Sequence, residues 1–221
     1  MLNLPEPRRV TLFCGHYGSG KTNIAVNYAF YLKNAGYDVV VADLDIVNPY
    51  FRTKDSEDEL KAAGIGVISQ QFANSNVDLP ALPSEIYSIV QNRKRYAVID
   101  VGGDDRGAYA LGRLVPGLIE ENDYAMLDVV NFHRPLTGTA ADALAVMREI
   151  EAACGLGFNG IVNNSNLGAE STPETLTGTF GKAEELSVKS GVPLFMNCAE
   201  KSVADKLGNV FPLVLQKRYY M

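Results

Sequence analysis

The chain reads as an α/β protein, with a mainly parallel sheet of about seven strands and helices on both faces. Three observations predict this. Apolar, β-branched runs alternate with helix-like runs from end to end, the order a parallel sheet covered on both faces requires. A glycine-rich loop, Gly15-His16-Tyr17-Gly18-Ser19-Gly20-Lys21-Thr22, stands between the first such run and the first helix. Carboxylates or amides follow three of the other runs, and in open parallel sheets ligands sit at the carboxyl ends of the strands.

The elements follow in order. Val10–Cys14 is apolar and β-branched and reads as the first, buried strand. Ile24, Tyr28, Tyr31 and Leu32 then recur at helical spacing and predict a helix over Lys21–Ala35. Further strands are expected at Asp38–Ala42, Gly66–Ser69, Tyr96–Val101, Tyr124–Val130, Gly160–Asn163 and Val192–Asn197. Helices between them are expected at Ser56–Ala63, Ser84–Arg93, Gly107–Glu120, Thr137–Ala153, Pro173–Ser190 and Ala199–Leu207. The stretch Gln70–Pro83 is polar and long for a connection, which reads as a surface loop near a functional edge. Phe211–Leu215 reads as a last strand or a docked tail. No repeat, low-complexity segment or linker breaks the pattern, so residues 1–221 are expected to form one domain.

The loop fits the pattern G-x-x-x-x-G-K-[ST] and lies in the strand–loop–helix context that this motif needs. Its glycines let backbone N–H groups turn inward around phosphate oxygens, aided by the positive end of the following helix. Gly15, Gly18, Ser19, Gly20, Lys21, Thr22 and Asn23 are the candidate phosphate-binding residues. Lys21 would reach the β- and γ-phosphates, and the Thr22 hydroxyl would ligate Mg²⁺. The expected architecture is therefore the three-layer P-loop NTPase fold, present as a single nucleotide-binding domain.

The other strand ends supply the complementary groups. Asp100 closes the apolar run Tyr96-Ala97-Val98-Ile99, the form of a Walker B acid that holds Mg²⁺ or its waters. Asp100-Val101-Gly102-Gly103 also reads as D-x-x-G, whose last glycine can offer its N–H to a γ-phosphate. Asp43 and Asp45 point the same way along an extended segment. One could support the Mg²⁺ shell while the other orients an attacking water. Asn163-Asn164-Ser165-Asn166 lacks the acid that recognises guanine in N-K-x-D, and an amide suits the adenine edge. Asn48-Pro49-Tyr50-Phe51-Arg52 places two aromatics just beyond these acids, either as a nucleotide-controlled switch or as a turn plugging the core. His133-Arg134-Pro135 lies at the same rim, where Arg134 either contacts phosphate, meets a second subunit or is solvated.

Phosphate loop, D-x-D after the second strand, hydrophobic-D-x-G-G after the fourth and an Asn after the sixth together resemble the CobQ/CobB/MinD/ParA group of P-loop ATPases. Nitrogenase iron protein and dethiobiotin synthetase are more distant relatives of that group. The resemblance spans about Val10 to Ala199. It implies that Asp45 is the water-activating acid, that Asp43 and Asp100 surround the Mg²⁺, and that Asn164 contacts the adenine edge. One departure matters: many members carry a lysine directly after the first loop glycine, reaching across a dimer, and here that residue is His16. A histidine is shorter and mostly neutral at pH 7. The paired cysteines of the iron–sulfur and carbon-monoxide-dehydrogenase maturation relatives are also missing, which argues against a metal-bridged dimer.

Composition narrows the reading. Net charge is −6 with no basic block, so a nucleic-acid partner is not indicated. No apolar run approaches a membrane span, and the N-terminal residues carry prolines and charges where a signal peptide needs an apolar core. Cys14, Cys154 and Cys198 are scattered without C-x-x-C spacing, as buried thiols of a reduced cytosol would be. The expected protein is a cytoplasmic, Mg²⁺-dependent ATP-binding protein and slow ATPase. It acts as a nucleotide-controlled switch on a partner protein, and a homodimer is compatible with the resemblance. Three alternatives stand beside it: a small-molecule kinase or ATP-dependent ligase like dethiobiotin synthetase, a metal-insertion GTPase, and an assembly module that barely turns ATP over.

Overall fold

A computed structural model of the 221-residue chain describes residues 2–44, 56–68, 84–103, 107 and 111–215. Among the described residues eight strands form one sheet: β1 (Val10–Cys14), β2 (Val39–Leu44), β3 (Gly66–Ile68), β4 (Tyr96–Val101), β5 (Tyr124–Val130), β6 (Gly160–Asn163), β7 (Leu194–Glu200) and β8 (Val210–Leu213). Their order is β3-β2-β4-β1-β5-β6-β7-β8, and every neighbouring pair is parallel. This is the three-layer α/β P-loop NTPase fold. The helices are α1 (Lys21–Asn34), α2 (Glu57–Ala62), α3 (Ser88–Gln91), α4 (Val115–Glu121), α5 (Ala140–Cys154), α6 (Pro173–Thr177), α7 (Phe180–Ser190) and α8 (Lys201–Ala204).

Alternation along the central strands divides most of the core in two, with a smaller cluster around Leu176, Val203 and Val210 beside it. Phe13, Val41, Val98 and Leu127 face α1, where Ile24, Tyr28 and Leu32 meet them. Leu12, Cys14, Ile99 and Met126 face the opposite side, where α5 contributes Ala143 and Met147 and α7 contributes Leu186. β1 is buried at all five positions because helices cover both of its faces. The Tyr28 ring meets Phe13 edge-on at 5.5 Å, and Tyr31 meets Phe211 edge-on at 5.8 Å. The second contact ties α1 to β8, whose parallel pairing with β7 makes Phe211–Leu213 part of a strand and gives the sheet eight members among the described residues rather than about seven.

Several other boundaries move, β7 among them, from Val192–Asn197 to Leu194–Glu200, and two do so for clear local reasons. β2 continues through Asp43 and Leu44, which pair with Asp100 and Val101 of β4. The expected single helix over Pro173–Ser190 is two. At the break, the Thr179 hydroxyl donates to the Leu176 carbonyl at 2.7 Å and receives a hydrogen bond from Asn163 Nδ2 at 3.0 Å. Thr172 opens α6 with a reciprocal capping box to Thr175. Gln70–Pro83 lies outside the described residues, as do Asp45 and Asn48–Arg52.

Candidate functional site

The carboxyl ends of β1, β2 and β4 converge on the loop between β1 and α1. Gly15, Gly18 and Gly20 all have positive φ. Gly20 has two reasons to be glycine. Its φ of 90° is left-handed, and a Cβ there would come within 2.4 Å of Asn164 Nδ2. Lys21 and Thr22 are buried at the first turn of α1, with Lys21 Nζ 3.3 Å from the His16 carbonyl. The Ser19 side chain is also buried, and its hydroxyl has no hydrogen-bond partner among the described residues.

Alternation in β2 and β4 puts Asp43 and Asp100 on the α1 face, directly opposite one another in register. Both are buried, and the Thr22 hydroxyl donates to Asp100 Oδ2 at 2.5 Å. One hydroxyl and two carboxylates are thus gathered where α1 begins. Adjacent buried carboxylates repel each other and call for a cation. Among the described residues no group of three or more His, Cys, Asp or Glu side chains could hold a metal alone. A Mg²⁺ ion suits such a set, because it takes one or two protein carboxylates and leaves its other positions to waters and phosphates.

Gly103 closes the other side of the lysine. A Cβ on it would lie 2.9 Å from the Tyr17 nitrogen and 3.2 Å from Lys21 Nζ, so a side chain would press into the loop. The structure thus brings Gly15, Gly18, Ser19, Gly20, Lys21, Thr22, Asn23, Asp43, Asp100 and Gly103 to one edge of the sheet. Asp45 lies outside the described residues.

Asn164, the residue linked by resemblance to the adenine edge, is buried after β6. Its Nδ2 donates to the Ser19 carbonyl at 2.7 Å and braces the phosphate loop. Its Oδ1 is buried with no hydrogen-bond partner among the described residues, leaving an acceptor available. Neighbouring amides fix the backbone around it. Asn163 Nδ2 donates to Asn197 Oδ1, Ser165 Oγ to Asn163 Oδ1, and Asn166 Nδ2 to the Asn164 carbonyl. Arg134 lies against the loop itself, with Nε donating to the Gly18 carbonyl at 3.2 Å.

Sequence reasoning missed Asp128. It sits in β5 opposite Cys14 and is buried on the face away from α1. Burial, helped by Glu151, pushes its carboxyl up to about 8, against the pull of Lys21. The signal was a lone acid inside the apolar run Tyr124–Val130, at the register of the residue before the loop. Burial also raises the thiols of Cys14 and Cys154, which keeps them neutral.

No protein-family model matches the chain, and no curated protein matches it in sequence. Solved structures do match in fold. FtsY from Mycoplasma mycoides aligns with a TM-score of 0.58 at 18% identity, over 92% of this chain and 64% of its own. The cell division protein FtsY from Thermotoga maritima gives 0.59 at 19%, over 90% and 65%. The 54 kDa signal recognition particle protein from Aeropyrum pernix, solved with GDP, gives 0.54 at 16%, over 89% and 42%. The chain therefore spans less than two thirds of the length of each of these proteins. At such identities the likeness establishes the fold, shared with FtsY and the signal recognition particle protein. The narrower resemblance to the CobQ/CobB/MinD/ParA group rests on the motifs alone.

Proposed function

We propose that residues 1–221 act as one nucleotide-binding unit that takes a Mg²⁺-bound nucleoside triphosphate, ATP by preference, and hydrolyses it slowly to switch a partner protein. The observation that carries this reading is the Thr22–Asp100 hydrogen bond, with Asp43 beside Asp100 and Lys21 enclosed against Gly103. The loop from Gly15 to Thr22, with Asn23 behind it, would surround the phosphates. Thr22, Asp43 and Asp100 would hold the metal or its waters. Bound there, Mg²⁺ supplies neutralisation of the developing phosphate charge.

On the protein side, Lys21 would balance charge at the β- and γ-phosphates, and Gly103 would offer its N–H to the terminal one. Asp45 is assigned to orient the attacking water. Asn164 Oδ1 can accept from an adenine amino group while Nδ2 keeps the loop in place. Asp45–Arg52 and Gly102–Arg106 are the segments that a γ-phosphate would engage, and Tyr50 and Phe51 would carry the signal to the partner. With His16 in place of a lysine, activation across a homodimer is weak and unassisted turnover slow. No described helix is long and apolar enough to cross a membrane. We place the protein in the cytoplasm on the strength of its three buried free thiols.

Calorimetry with ATP and GTP tests the reading. ATP should bind more tightly than GTP, Asn164→Ala should narrow the difference, and Lys21→Ala should abolish both heats. Near-normal affinity in folded Lys21→Ala would overturn the loop assignment. Tighter GTP binding would instead favour a GTPase, the reading suggested by neighbours solved with GDP.

A further inference from the structure

The face of the sheet opposite α1 carries a feature that shares His16 and the Gly102–Gly103 wall with the nucleotide site proposed above. Between the ends of β1 and β4 and the flank of α5 lies a cavity of about 110 Å³. Its floor carries the buried thiols of Cys14 and Cys154, with Leu111 and Ile150 beside them and the Gly102–Gly103 backbone along one side. Its titratable side chains apart from the two thiols are His16, which is half-buried, and Glu149, which is exposed, so both stand at the mouth.

Those two groups are both acceptors. His16 Nδ1 lies 2.9 Å from the Tyr17 carbonyl, and a carbonyl can only accept, so Nδ1 carries the hydrogen. In the neutral ring the lone pair is then on Nε2, which has no hydrogen-bond partner among the described residues. Glu149 likewise has no cationic partner among them. No lysine or arginine is among the described residues that wall the cavity. A pocket of mixed lining, with apolar side chains at its floor and a carboxylate and a bare imidazole nitrogen at its opening, suits a ligand with a short apolar stem and a cationic donor head.

We propose that this cavity binds a small aliphatic amine. The stem packs on Cys14, Cys154 and Ile150, and the ammonium donates to Glu149 and His16 Nε2. The volume suits a stem of about four carbons, since a cavity of ~150 Å³ accepts benzene. Gly102 and Gly103 form the shared wall, and Gly103 packs against Lys21 Nζ on its other side. The amine is therefore one backbone layer from the enclosed lysine of the phosphate loop. The site goes beyond the nucleotide reading and does not depend on it.

The test is a methyl NMR titration of the nucleotide-free protein with n-butylamine, n-butanol and butyrate at pH 7.5. Butylamine should give saturable shifts at Val146, Ile150 and Leu111, and butyrate should bind more weakly. Glu149→Gln should weaken butylamine roughly three- to fivefold, the scale of a part-exposed ion pair, and leave butanol unchanged. Ala153→Phe adds bulk at an exposed lining position and should remove binding of both. Dispersed spectra from both variants would show that the fold survives. The proposal is overturned by the absence of saturable butylamine shifts, by butyrate binding as tightly, or by unchanged affinity in Ala153→Phe.

Discussion

Asp43, Asp100 and Asp128 are three buried carboxyls with two different environments. Asp100 accepts from Thr22 and faces α1 across from Asp43, where a shared cation would keep both ionised. Asp100→Asn should therefore leave the fold intact and raise the Mg²⁺ concentration needed for nucleotide binding about tenfold or more. Calorimetry across a Mg²⁺ series would read this, and an unchanged requirement would remove Asp100 from the metal's surroundings. Asp128 faces the other way, and burial holds its carboxyl up to about 8. Between about pH 4 and pH 8 the folded chain keeps a proton that the unfolded chain has released. Stability attributable to Asp128 is thus greatest at low pH, falls as pH rises through that window and levels off above it. Asp128→Asn should gain on the parent by several kcal/mol from pH 5 to pH 8. Urea midpoints at the two pH values would measure it, and a constant difference would mean that Asp128 titrates normally.

At the scale of elements, the sequence was most legible where one physical signal dominated. β1, β4, β5 and β6 follow the expected bounds because apolar, β-branched runs in a doubly covered parallel sheet have no competing reading. The loop was legible because its glycines and Lys-Thr pair form a fixed spacing. β2 ran longer than expected because Asp43 looks like an exit until its pairing with β4 is known. The division between α6 and α7 was hidden because Thr179 is bound by Asn163, a partner distant in sequence. Arg9 was hidden for the same reason. It is buried at the opposite end of the sheet, paired with Glu121 and donating to the carbonyls of Ile89 and Arg95 at 2.9 Å. It thereby ties β1 to α3 and α4. Arg9→Met leaves the largely covered Glu121 without compensation and should cost about 2–4 kcal/mol, whereas Arg9→Met with Glu121→Leu should recover much of the loss. Chemical denaturation of the two variants would decide, and equal losses would mean that the carbonyl contacts matter more than the ion pair.

Across the whole molecule, the phosphate loop sits where the two faces of the sheet meet. The α1 face brings Thr22, Asp43 and Asp100 to one side, and the α5 face brings Cys14, His16 and Gly103 to the other. The rim beyond β5 and β6 closes on the same loop through Arg134 to Gly18 and Asn164 to Ser19. A γ-phosphate beside Lys21 and Gly103 would therefore load contacts belonging to several strands at once. ADP would engage the loop but offer nothing to Gly103. Under the proposed switch, ATP should slow hydrogen exchange at Gly102–Arg106 and Asn48–Arg52 relative to ADP. The buried strands β1 and β4 should exchange alike in both states. Asp45→Asn would keep ATP intact during the measurement, since an amide is a poor acceptor for the water's proton and should lower hydrolysis roughly 10²-fold. If both nucleotides protect both segments equally, the γ-phosphate moves nothing that a partner could read, and phosphoryl transfer to a small molecule becomes the better account of the site.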